Sequence, residues 1–262
     1  MNLKKNQRKN SSKSFFYAII SLKRWNIVGQ EKKNIITSFV VIIIIAMFTI
    51  IVLTVMNNNF IPKTYYKASD FDIKTIYSES DYDKDNIDDY SEFVVGARKD
   101  AQKKPTYISK YYENSYPPSN EGVCTDVIWR AFKQAGYSLR DMIDEDIKNH
   151  PEAYPKVTNR DKNIDFRRVM NQKIFFERYG LILTTSTKKI GEWQPGDIVI
   201  FEDKHIGIIS DRRNKKGIPY VIHNGGQPNR EEDYLTKKTI TGHYRFDATK
   251  IDKSILKKWE KQ

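Results

Sequence analysis

Cysteine is all but missing from this chain: Cys124 is the only one in 262 residues. A lone thiol cannot close an intrachain disulfide, so an ordinary core must hold the fold. Acids are missing from the N-terminal stretch, where nine Lys and Arg before Ile35 face only Glu31, so most of the net charge of +12 belongs to that stretch. This removes the basis for nucleic-acid binding by the rest of the chain. Charge of either sign is missing from Ile35 to Met56, a run of 22 residues. As a helix it would span roughly 33 Å, enough to cross a hydrocarbon core of about 30 Å. A cleaved signal peptide does not fit its long basic flank and long apolar run, and a buried helix of a soluble core does not fit its length, so the expectation is a retained transmembrane helix. Positive charge on its N-terminal side predicts a cytoplasmic N-terminus and an extracytoplasmic remainder.

What is present divides the chain as follows: a basic cytoplasmic segment 1–34, the transmembrane helix 35–56, an acidic extracytoplasmic stalk 57–92, a domain 93–250 and a Lys-rich tail 251–262. The acids of "SESDYDKDNIDDY" also suggest a calcium loop. That alternative is set aside for a solvated stalk, on the reading that the glycine and terminal glutamate of the EF-hand spacing are missing. From Phe93 the pattern turns globular. "EFVVGARKDAQKK" suits a helix ending before Pro105. Cys124, Val127, Ile128, Ala131 and Ala135 share one face of a helix that Gly136 ends. Ser138 with Asp141 opens another over Leu139 to Asn149, and a third runs around Asn171 to Tyr179. Then "DIVIF", "HIGIIS", "PYVIHN" and "GHYRF" read as consecutive antiparallel strands. Helices followed by a meander predict an α+β domain, one antiparallel sheet with helices packed on it.

Cys124 is either a small buried hydrophobe or a nucleophile. At the first turn of a helix it meets free N–H groups and the positive end of the dipole, which favour the thiolate. Asp126 opposes this if it faces the sulfur and supports the helix end if it does not. His150 looks peripheral. If the hairpin of "HIGIIS" and "PYVIHN" turns symmetrically near Asn214, His205 lies directly opposite His223, and one imidazole can orient the other. Ordinary packing of the two rings is the alternative, and a zinc site of Cys124, His205 and His223 is a weaker one, without the close ligand spacing zinc sites use.

Together "GVCTDV", "DKNIDFRRVMN", "WQPGDIVIF", "HIGIISD", "VIHNGG", "REED" and "GHYRF", from about Phe93 to Phe246, resemble a YijF-like bacterial family of unknown function, and within a wider circle the NlpC-type branch of the papain-like cysteine peptidases. The resemblance implies a papain-like α+β fold with Cys124 as nucleophile, His205 as general base and His223 as the orienting residue, without cofactor or metal. It implies a cysteine hydrolase acting on peptidoglycan stem peptides. Asp126, Asp165, Arg167, Arg168 and Asn224 become substrate-binding or site-supporting candidates; an Arg in "IDFRRVMN" could grip a substrate carboxylate or form an internal salt bridge. The family pattern has His and Pro where this chain has Phe166 and Met170, so neither is needed for the chemistry. "REED", Arg230 to Asp233, reads as a solvated or structural turn. Acyl transfer on the same fold, and a non-catalytic surface-binding protein, are the rival functions.

Overall fold

The computed structural model describes residues 32–55 and 65–260, which fall into two units divided after Asn57. The expected basic segment up to Glu31, Met56 and the start of the expected stalk lie outside the described residues. In the first unit helix α1, Lys32–Val55, is long and apolar enough to cross a membrane, with a mean hydropathy of 3.1 over its most apolar window. Its threonine hydroxyls are satisfied from within: Thr37, Thr49 and Thr54 donate to the carbonyls of Lys33, Ile45 and Ile50, one turn back. This is what a helix in hydrocarbon requires of its polar groups.

The second unit is α+β. Helices α2 (Asp89–Lys103), α3 (Cys124–Gln134), α4 (Leu139–Asn149) and α5 (Val169–Tyr179) precede most of the sheet, and a short parallel pair, β1 (Thr106–Tyr107) with β2 (Glu121–Gly122), lies between α2 and α3. The six-stranded sheet contains β3 (Leu181–Ile182), β4 (Ile198–Phe201), β5 (His205–Arg213), β6 (Pro219–Ile222), β7 (Glu231–Glu232) and β8 (Ile240–Arg245), in the order β3-β8-β4-β5-β6-β7. All its pairings are antiparallel. The expected simple meander therefore holds only for β4 to β7. β8 returns to the far side of β4, which buries β4 between two partners.

Alternation along the strands divides the core. Ile198, Ile200, Ile206, Ile208 and Ile222 face the helices, where they meet Phe93, Ile128, Phe132 and Phe176. Val199, Phe201, Ile209 and Val221 face the other way, onto Trp193 and Leu235. Both faces are covered, which explains why the strands read as continuous apolar runs. Truncating a side chain such as Phe132, fully buried and stacked on Phe93 at 4.5 Å, would cost about 3–5 kcal/mol.

Two expected boundaries are corrected. The segment from Tyr65 to Asp88 is not a solvated stalk. Tyr66 exchanges two backbone hydrogen bonds of 2.8 Å with Arg213 of β5, Ile76 donates its N–H to Gln194 at 3.0 Å, and Asp88 caps α2 by accepting from Ser91. Acids of this segment serve local turns and the α2 cap: Asp81 accepts from Asp85 and Asn86, and Asp88 from Ser78 and Ser91. The Lys-rich tail is also part of the fold. Lys257 accepts the Ser138 N–H that opens α4, Trp259 donates to Gly136 at 2.7 Å, and the Trp259 ring stacks on Trp129.

Candidate functional site

The first turn of α3 is pinned from several sides. Val123 is extended, and its N–H, which the helix cannot satisfy, is accepted by Asp126 at 2.7 Å. The same carboxylate accepts from Trp129 Nε1 at 2.8 Å and takes a bidentate bond from Arg167, 2.8 Å to Nε and 2.9 Å to Nη2. Thr125 Oγ1 donates to the Arg167 carbonyl, and Gln172 donates to the Thr125 carbonyl. Asp126 therefore supports the helix end. Of the two readings of "IDFRRVMN", the internal ion pair holds for Arg167, whose Nη1 is also taken, by the Lys110 carbonyl. Asp165 accepts the Asp161 N–H at 2.7 Å. Arg168 is exposed, 3.5 Å from Asp165. The two line a surface pocket with Tyr111 and Asp144 that does not include Cys124.

Cys124 is only 4% exposed. Its sulfur faces the backbone N–H of Ile206, the residue after His205, and those of Thr125 and Cys124 itself. Burial nevertheless pushes the thiol up to about 11. The expectation of a thiolate ionised by the helix tip is thus corrected: loss of water around the sulfur outweighs the donors, and the resting group is a neutral thiol.

His205 and His223 do meet. His205 Nε2 lies 2.8 Å from His223 Nδ1, with the rings perpendicular and 4.9 Å apart. The route differs from direct opposition. Ile208 pairs with Ile222 and Ile209 with Val221, with an irregularity towards Arg213, so the register continues to set Gly207, not His205, against His223. The shift from the symmetric hairpin is two residues, which keeps both rings on the same face and joins them diagonally. Gly207 makes this possible, since a Cβ there would fall 3.1 Å from the His223 Cβ and closer still to Val221.

The network continues to a residue that sequence reasoning missed. His223 Nε2 lies 3.4 Å from the Glu232 carboxylate, which also holds Lys237 at 2.6 Å and is kept below the usual carboxylate range by these two partners against the opposing effect of burial. An ionised Glu232 only accepts, so a His223 proton on Nε2 faces it and the Nδ1 lone pair is offered to His205 and to the Gln227 amide, which lies 3.2 Å from both ring nitrogens. His205 then donates from Nε2, which leaves its Nδ1 lone pair free to take a proton. Burial and the neighbouring His223 push His205 down to about 3, and burial also lowers His223; both rings are neutral at pH 7. Tyr234 packs on His223 at 4.2 Å, and Gln227 donates to the His223 carbonyl. The signal for Glu232 was the turn "NGGQPN". A hairpin closed there, as His223 N–H to Arg230 carbonyl closes it, brings "REED" back beside His223.

Asn224 ties the two halves together: its Nδ2 donates to the Gly122 carbonyl, two residues before Cys124, at 3.1 Å, and its Oδ1 accepts from Arg230 at 2.6 Å. The remaining histidines stand apart. His243 is buried between Asp197, at 3.0 Å, and the Thr184 carbonyl, and His150 bonds Asp146 at the end of α4. A cavity of about 900 Å³ lined by Tyr116, Trp129, Lys133 and Trp259 lies outside this cluster.

The fold and site define an α+β protein with a buried cysteine at a helix start and a Glu–His–His chain ending at the strand that covers the sulfur. Residues 94–246 match the family described as "Domain of unknown function (DUF1287)", and the chain belongs to that family. It is similar to the "Uncharacterized protein YijF" of Escherichia coli (strain K12), 38% identical over 149 residues, which are 54% of this chain and 72% of that protein. No solved structure matches the chain.

Proposed function

We propose that the chain is a membrane-anchored, outward-facing cysteine hydrolase of papain-like, NlpC-type fold that cleaves an amide bond in peptidoglycan stem peptides. The observation that carries this reading is the chain Glu232–His223–His205, which leaves the His205 Nδ1 lone pair at the first residue of the strand whose next N–H faces the Cys124 sulfur. A buried relay of this kind orients a base, and a merely structural histidine pair has no need for it.

In the reaction His205 Nδ1 takes the proton from Sγ as the sulfur attacks the amide carbonyl carbon. Because thiol and imidazole both rest neutral, proton transfer and attack proceed together, with Glu232 stabilising the charge that spreads over the two rings. The N–H groups of Cys124 and Thr125 at the helix start are the donors on hand for the oxyanion. Collapse of the adduct breaks the C–N bond, and the amine leaves with the proton from His205. Water, deprotonated by His205, then releases the acyl group as a carboxylic acid and restores the thiol. The helix α1 holds the domain at the membrane beside its substrate, with the basic flank inside.

One observation favours a second reading. Cys124 is sealed and its thiol pushed up, as in a packing residue, which fits a non-catalytic surface protein on a peptidase-like scaffold; acyl transfer to an amine in place of water is the catalytic variant. Mass spectrometry of purified cell wall incubated with the full chain, beside Cys124→Ala, separates these. Hydrolysed stem peptides with the wild type alone support the proposal, amine-linked products point to transfer, and identical wall in both samples overturns it.

A further inference from the structure

The stretch set aside as a stalk contains a second cluster that the proposed chemistry does not use. Asp81, Asp83 and Asp85 bring one carboxylate oxygen each within 4.8 Å of one another. Counted from Asp81 as position one, they stand at positions one, three and five, and Glu92 stands at twelve, so the terminal glutamate held to be missing is present. The loop is also shaped for the purpose. Asp81 accepts the N–H groups of Asp85 at 3.0 Å and Asn86 at 2.9 Å, which curls the chain around its carboxylate. Position six, where EF-hand loops place a glycine for a sharp turn, is Asn86 at φ 72°, a left-handed conformation that Asn tolerates. The glycine is replaced without loss of the geometry. The Ile87 carbonyl stands at position seven, and α2 follows as the helix that carries the closing glutamate.

An independent observation comes from within the core. Glu92 is 0% exposed. Its Oε1 accepts from Gln134 of α3 at 3.0 Å, but among the described residues its Oε2 has no hydrogen-bond partner, and neither has the buried Asp83 Oδ1. Glu92 is anchored to Gln134, two residues from the Gly136 against which Asp83 packs, so both orphaned oxygens belong to side chains held at the end of α3. A buried carboxylate oxygen without a donor is costly, and oxygens collected around one point are satisfied together by a cation. Asp83 itself sits on the end of α3, where a Cβ at Gly136 would fall 2.6 Å from its own.

We propose that residues 81–92 bind one calcium ion through the carboxylates of Asp81, Asp83, Asp85 and Glu92. Calcium accepts flexible, mixed oxygen cages, whereas magnesium demands a tighter octahedron and retains water. The bound ion ties the loop to α2 and, through Glu92 and Gln134, to α3, the helix that starts at Cys124.

The test uses the full chain in detergent micelles, stripped with EDTA and titrated with calcium chloride or magnesium chloride by calorimetry, and its melting followed in parallel. One calcium per chain is expected, with an affinity of roughly 10⁻⁴–10⁻³ M, the range of extracellular modules. Asp83→Asn and Glu92→Gln should each weaken it at least tenfold. Melting gives a sign reversal: in EDTA Glu92→Gln, relieved of its orphaned charge, melts above the wild type, and in saturating calcium below it. A folded wild type that takes up no calcium at millimolar concentration, or variants that bind as tightly as it does, overturns the proposal.

Discussion

Two buried acidic centres of the same domain contrast sharply. Around His223 the described ring nitrogens face partners, and Glu232 is held low by His223 and Lys237. Around Glu92 two buried oxygens lack a hydrogen-bond partner among the described residues, and burial pushes the carboxyl up. The difference shows how burial acts on charge. A saturated network fixes its protons in one direction and is ready for use as it stands, whereas an unsaturated one stores a cost that a ligand can remove. The proposed reaction belongs to the first centre and the proposed ion to the second.

The comparison can be broken at either centre. The largest effect is expected at the proposed reacting groups: Cys124→Ala and His205→Ala should each lower turnover by about 10³-fold or more, with far-ultraviolet circular dichroism unchanged. Next comes Arg167→Ala. It leaves Asp126 buried and unpaired, which costs about 3–5 kcal/mol and lowers the melting temperature by roughly 2–4 °C per kcal/mol in a domain of this size. Glu232→Gln keeps the shape of the relay but not its charge, and kcat should fall roughly 10–100-fold. If His223 and Glu232 act in series, the double variant His223→Ala with Glu232→Gln costs no more than the worse single one, whereas independent roles would add.

A smaller effect concerns pH. His205 titrates near 3 in the folded chain and near the ordinary histidine value of 6.5 when unfolded, so between these values the unfolded chain binds the proton and the folded one does not. Stability is full above about pH 6.5 and falls as the pH drops towards about 3. Urea melts across that window should show this slope for the wild type and a shallower one for His205→Asn. Glu92 has the opposite sign: its raised carboxyl stabilises the fold at low pH and loses that contribution as the pH rises through about 7, so in EDTA the Glu92→Gln variant should gain on the wild type with rising pH.

Local signals were legible in the sequence and long-range ones were not. Helical spacing located α3 and α4 to within a residue or two, because caps and glycines act on neighbours in the chain. The histidine pair was legible as residue types on one face, yet its register was off by two, since the irregularity near Arg213 has no local marker. Glu232 was hidden because its contact with His223 depends on how a six-residue loop closes. The stretch from Tyr65 to Asp88 was misread for the same reason. Its composition is that of a solvated linker, and contacts distant in sequence, above all those with Arg213 and Gln194 more than a hundred residues away, make it part of the domain.

The central claim is that the Cys124 sulfur is the nucleophile served by the His205–His223–Glu232 chain. Intact-protein mass spectrometry after an acid quench during turnover of stem peptides tests it most directly. An acyl adduct on the wild-type chain is expected, one that maps to Cys124 and disappears in Cys124→Ala together with the products. Product release by Cys124→Ala at the wild-type rate would contradict it.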